Sequence, residues 1–291
     1  MLKQSSILFL LFCFSAFGFS QKTTIDFDVA ITELNAIGEQ LISEISDQEK
    51  YVANEKFKTT LKELLINEAS FEYQFDSLKT ISILKENELK IYNWALPLND
   101  GTFEYFAFLQ LKKEKKGQTF QVIELVDQSD EMMNPETKVL VPKMWYGALY
   151  YKIIYDKKLS KNYYTLLGWD GNNNLTNKKI IDVIDVGNNG TIKLGAPIFK
   201  NKGKTKKRVL FEYSENVVMS LKYHPKEKKI VFDFLVPASS SLEGIYEYYG
   251  PSLNRFDAYF FNENKWNYQE DVDIEQDRNI KDFMWGNPKK N

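Results

Sequence analysis

Five carboxylates sit inside otherwise apolar, strand-forming runs: Asp182 and Asp185 within Ile180–Val186, Asp233 within Ile230–Val236, and Glu124 and Glu212 in similar settings. A charge buried in a sheet costs on the order of several kcal/mol unless it is paired or hydrogen-bonded. Such groups either anchor polar networks or mark a site with shifted pKa values. Lysine is the expected partner, because the chain has three arginines, Arg208, Arg255 and Arg278. Two of these acids facing each other about 5–10 Å apart would suit glycoside hydrolysis. A carboxylate-based hydrolase acting on a glycan or related polymer is therefore one reading, although the sequence leaves open whether the chain is an enzyme at all.

Aromatic side chains beside turns offer a second kind of chemistry. Trp94, Trp145, Trp169 and Trp266 lie at the ends of strand-like runs or next to turns. An exposed indole there provides a stacking face for a glycan, a peptide or another protein; an enclosed one closes the end of a β core. Trp169 is the indole expected to be most exposed, because Asp170, Gly171 and three asparagines follow it and turn the chain outward. Trp169, Asp170, Trp94 and Trp145 are the candidate ligand-binding residues.

Other motifs fall short of their chemistry. The single histidine, His224, lies in a basic turn, Lys222–Lys226, and removes His-rich metal sites and HExxH motifs. Ser82–Lys85 fits S-x-x-K, but the serine of that motif must begin a helix, and Ser82 lies in a strand-like run. The segment Asp170–Thr176 alternates oxygen ligands as a calcium loop does, yet has Leu175 where glycine belongs and Ile181 where a bidentate glutamate belongs. Lys200–Arg208 and the acidic run Asp271, Asp273, Glu275 and Asp277 read as solvated charge. No metal and no cofactor is expected.

The elements that must position these residues change character along the chain. Ala30, Leu34, Ile37, Leu41 and Ile45 form one helical stripe, and Phe57, Leu61, Leu64 and Leu65 form a second. Thr24 or Asp26 can cap the first helix, and Ser46-Asp47-Gln48 divides the two. From Phe71 onward, runs rich in Tyr, Phe, Ile and Val predict strands almost to the end, broken by Asn99-Asp100-Gly101, Asn189-Gly190 and Asn262-Glu263-Asn264. The expected fold is mainly β with an N-terminal helical segment, an antiparallel meander of about a dozen strands in a two-sheet sandwich, with a small β-propeller as alternative. The expected divisions are a leader over 1–20, a helical segment over 21–70 and an antiparallel β domain over 71–291.

That leader is a secretory signal pattern: Lys3, an apolar stretch from Ile7 to Phe19, then Gly18 and Ser20 as small residues before cleavage. It is too short to span a membrane as a helix of about 20 apolar residues. The only cysteine, Cys13, falls within it, so a cleaved chain carries no disulfide and no thiolate nucleophile. A formal charge of −2 argues against a dedicated nucleic-acid binder, and no further run is long enough for a membrane span. Three segments, Trp145–Tyr151, Tyr164–Asn172 and Phe211–Ser214, together resemble a group of uncharacterised exported bacterial proteins. The resemblance implies export and a shared fold, and carries no activity. The expected role is a non-enzymatic binding or interaction module of the periplasm or cell surface, its ligand a glycan, peptide or protein.

Overall fold

The computed structural model describes residues 25–115, 118–157 and 162–273. The leader with Cys13, and the acids Glu275 and Asp277, lie outside the described residues. Helix α1 spans Phe27–Leu41 and helix α2 spans Asp47–Ile66. Of the two expected caps, Asp26 serves α1, its carboxylate accepting from the backbone N–H of Asp28 and Val29. Ser46 begins α2 in a capping box, its hydroxyl accepting from Glu49 while the Glu49 carboxylate accepts from the Ser46 backbone. Leu34, Ile37 and Leu41 on α1, with Phe57, Leu61, Leu64 and Leu65 on α2, are buried as the stripes predict, whereas Ala30 and Ile45 are half-buried and Ile31 joins the buried face instead. Gly38 lets α1 approach closely: a Cβ there would lie 2.0 Å from the Thr80 hydroxyl.

The first sheet contains β1 (Ser82–Glu86), β2 (Leu89–Pro97), β3 (Phe103–Lys115) and β4 (Gln118–Val126), paired in that order and antiparallel throughout. Next come β5 (Leu149–Ile154), β6 (Tyr163–Asp170), β7 (Thr176–Val186), β8 (Ile192–Leu194), β9 (Phe199–Asn201), β10 (Lys204–Lys206) and β11 (Val209–Ser214). The second sheet has the order β11-β7-β6-β5, with β8 paired to β7. The last strands are β12 (Leu221–His224), β13 (Lys229–Pro237), β14 (Tyr249–Asn262) and β15 (Lys265–Gln269). They complete a third sheet of order β10-β9-β15-β14-β13-β12, in which β15 and β9 run parallel.

Side-chain alternation stacks these parts. Tyr92, Trp94 and Leu96 of β2, with Phe108 of β3, face the helices in one buried cluster. Leu89 and Ile91 of β2, with Tyr105, Ala107, Leu109 and Leu111 of β3, face the opposite way and pack on Tyr150, Leu166, Ile180 and Ile184 of the second sheet. The other face of the second sheet, including Leu167, Ile181 and Val183, packs on Phe199, Ile230, Phe232, Tyr259 and Trp266 of the third. The order of layers is helices, first sheet, second sheet, third sheet.

The mainly β class and the helical start are as expected. The strands nevertheless divide among three sheets of four, five and six strands rather than two, and sheets of unequal size are not repeated four-stranded blades. Between β8 and β9 the chain bends at Gly195, whose φ of +87° turns it out of the second sheet and toward the third. Asn99-Asp100-Gly101 and Asn189-Gly190 make the expected turns, with Gly101 and Gly190 at positive φ. Asn262-Glu263-Asn264 is tighter than expected: Asn262 pairs with Lys265, and Glu263 and Asn264 both take positive φ, as a two-residue hairpin demands.

Candidate functional site

Where β4 ends, a cleft of about 360 Å³ opens between its terminal residues, the start of β3 and Lys58 of α2. Its charged lining is Glu104, Glu124, Asp127, Asp130 and Glu131 against the single cation Lys58. The register that aligns Phe108 with Glu124 and Phe106 with Val126 places Glu124 on the helix-facing side. There its carboxylate lies 3.4 Å from Lys58 and 3.6 Å from Lys62. Glu104 accepts a 2.7 Å hydrogen bond from the Tyr51 hydroxyl. Lys58 also sits 5.9 Å from the centre of the Phe106 ring.

The cleft is held open by the turn after β4. The Trp145 N–H donates to the Val126 carbonyl and the Gln128 N–H donates to the Trp145 carbonyl, clipping the two segments side by side. Asp127 Oδ1 accepts from the Ser129 N–H (2.9 Å), the Ser129 hydroxyl (2.7 Å) and the Gly147 N–H (3.0 Å). A Cβ at Gly147 would lie 2.0 Å from Asp127 Oδ2, so only glycine permits this approach. Burial pushes the Asp127 carboxyl above the ordinary aspartate range, and these hydrogen bonds oppose the shift.

Behind the cleft lies a second, enclosed acid. Asp170 is 6% exposed. Its carboxylate accepts from the Tyr105 hydroxyl (3.2 Å), the Tyr146 hydroxyl (3.3 Å) and the Asn172 N–H (2.7 Å). Tyr105 in turn accepts a 2.6 Å bond from the Gly171 N–H. Burial raises the Asp170 carboxyl, while the Lys178 ammonium and the hydrogen bonds act to lower it. Deeper still, the Trp145 indole N–H donates to the Tyr150 hydroxyl, and Tyr150 donates to Asp182. Asp182 pairs with Arg208 at 3.2 Å, both side chains fully buried. The remaining guanidinium donors reach the carbonyls of Pro135, Lys138 and Leu194, so this pair ties down the segment that follows the cleft.

The exposure expected of Trp169 is corrected, and the enclosed reading of the tryptophans holds. Trp94 is 1% exposed and lies on the helix side of the first sheet, where its N–H donates to Asn54 at 2.8 Å and its ring stacks on Phe106. Trp145 has no exposed surface, and Trp169 is 2% exposed with its ring edge against Phe103. Trp169 stays inside because Asp170 is itself covered by Tyr105 and Tyr146, and because Gly171 presses against Phe103 rather than leading outward. Trp145 and Asp170 come to the rear of the cleft, whereas Trp94 belongs to the other core.

The embedded carboxylates do not converge either. Asp182 is paired with arginine rather than the expected lysine. Asp233 accepts from the Ser220 N–H and Glu212 accepts from the Thr176 hydroxyl, each at a separate place in the fold. Of the five, only Glu124 lines the cleft. Arg208 is likewise buried, unlike the solvated loop expected for Lys200–Arg208. The oxygens of the calcium-like segment are used locally, Asn172 bonding Thr176 and Lys178, and Asn173 accepting from Leu175 and Thr176. Among the described residues, no group of three or more His, Cys, Asp or Glu side chains is placed to hold a metal ion. No described helix is long and apolar enough to cross a membrane.

Sequence reasoning passed over Glu104, Asp127, Asp130 and Glu131. The available signal was the acid-rich turn Asp127–Glu131 directly after an apolar strand. Compared with protein-family models, curated proteins and solved structures, the chain matches none.

Proposed function

We propose that the protein is an exported, non-enzymatic binding module of the periplasm or cell surface that captures an organic cation bearing several ammonium or guanidinium groups. The observation that carries this reading is the charge imbalance of the cleft, five lining carboxylates against the Lys58 ammonium and that of Lys62, which reaches Glu124 from beside it. Charges brought together this way attract a counter-ion from solution and speed its capture. The leader pattern supports export.

A hydrolase is the second reading, favoured by one observation: burial raises the carboxyl of Asp127, as a general acid requires, and Asp127 lines the cleft. Against it, Oδ1 of that carboxylate is already occupied by three donors. Its task is to fold the turn.

Calorimetric titration with spermine and with an arginine-rich hexapeptide tests the binding role, a neutral oligosaccharide serving as control. The double variant D130N/E131Q removes two exposed charges without touching the core. Exposed ion contacts contribute roughly 0.2–1 kcal/mol each, so losing two should lower affinity about two- to thirtyfold. Equal affinity for the parent and the variant, or binding insensitive to salt, overturns the proposal. Cleavage of the oligosaccharide would establish the hydrolase instead.

A further inference from the structure

At the far end of β3 the charge reverses. Phe71 closes the short turn after α2, is 2% exposed, and stacks on Phe120 with ring centres 4.9 Å apart. Three ammonium groups surround its ring: Lys85 and Lys90 at 5.4 Å from the centre and Lys112 at 6.0 Å. The register explains their meeting. Lys85 of β1 stands directly opposite Lys90 of β2, and Lys112 lies two residues along β3 from Gln110, the partner of Lys90. All three therefore share the helix-facing side of the first sheet.

This arrangement costs stability. Like charges directly opposite each other on neighbouring strands repel. Lys90 is only 3% exposed, and its ammonium meets one carbonyl, that of Tyr73 at 3.1 Å, together with the rings of Phe71 and Phe75. Among the described residues the counter-charge beside the triad is Glu72, 3.7 Å from Lys85 and itself 69% exposed. Aromatic faces attract a cation without neutralising it, so the mutual repulsion of the three ammonium groups remains. Burial first, and the Lys85 charge second, push the Lys90 amine down to about 8.

We infer that Lys85, Lys90 and Lys112 form a receptor for a phosphate-class oxyanion. Such an anion supplies the missing negative charge and accepts from the ammonium donors that this crowded face leaves short of acceptors, the role lysine plays as a point charge in phosphate sites. The site is separate from the acidic cleft: Glu124, a lining acid, stands opposite Phe108, four residues of β3 or about 13 Å from Lys112. The failure of either proposal leaves the other intact.

The test is titration of the full chain with inorganic phosphate at constant ionic strength, chloride being the reference anion. Phosphate should raise the melting temperature and shift the Lys90 titration midpoint upward from about 8, read by NMR of the lysine side-chain resonances. The variant K85A/K112A alters two exposed ends of the triad and should bind phosphate at least tenfold more weakly. Vesicles of phosphatidic acid form a second arm: binding of vesicles with no response to free phosphate assigns the oxyanion to a lipid headgroup. Equal responses to phosphate and chloride, or an unchanged affinity in K85A/K112A, overturn the inference.

Discussion

Replacing Asp182 by asparagine is the sharpest test of how the cleft is supported. Asp182 and Arg208 are both fully enclosed, and among the described residues this carboxylate is the anion that meets the guanidinium. Asparagine keeps the shape and a hydrogen-bond acceptor for Tyr150, so the change isolates the charge. Breaking a buried pair in this way costs about 3–5 kcal/mol. Three backbone carbonyls still face Arg208, which argues for the lower end, about 3 kcal/mol. For a domain of this size that corresponds to a fall in melting temperature of roughly 6–12 °C. Calorimetry and urea unfolding followed by circular dichroism measure it. Hydrogen exchange should also show the backbone at Pro135–Lys138 loosening first, because Arg208 is its anchor. The paired change D182L/R208M removes both charges and should recover a large part of the loss. A single-variant loss below about 1 kcal/mol, or a paired variant worse than the single one, would refute the claim that an uncompensated charge is the source.

Three further outcomes follow from the same contacts. Gly147→Ala places a methyl group against Asp127, so it should destabilise by about 1–3 kcal/mol and weaken spermine binding, both measured on one preparation. Trp94→Phe strands the Asn54 carbonyl and should cost about 1–3 kcal/mol beyond lost area in urea unfolding, whereas Trp169→Phe loses an N–H that has no acceptor among the described residues and should lack that added loss. Asp170 binds its proton more tightly when folded than at its ordinary value of 3.8, so stability should fall as pH rises from about 4 through the raised folded value and level off above it. Asp170→Asn should flatten that slope, and an identical pH profile in both proteins would contradict an upward shift at Asp170.

Periodicity made the outline of the fold legible and hid its arrangement. The helical stripes, the Asp26 cap and the turns at Gly101 and Gly190 follow from local rules, because capping and positive φ are decided within a few residues. The division into three sheets depends on contacts between distant residues, such as Trp266 beside Phe199, for which a single sequence gives no signal. Strand β14 begins at Tyr249, where Gly250 and Pro251 read locally as a loop yet pair with Val236 and Leu235 beside a sheet bulge. The site failed differently. A tryptophan followed by Asp-Gly-Asn normally leads outward, but burial of Asp170 under two tyrosines reverses that local rule. The acids that do line the cleft had no motif to announce them; their convergence is a product of strand register and of the clip between Val126 and Trp145.

The strand order of the third sheet has a consequence for the timing of folding. β15, the last described strand, occupies an interior place between β9 and β14 rather than an edge. A nascent polypeptide cannot seal this layer until residues near Gln269 have emerged, since β15 is the strand that joins β9 to β14. Until β15 has been made, β9 and β14 each lack the neighbour that joins them, so the two halves of this layer assemble only after that strand is in place.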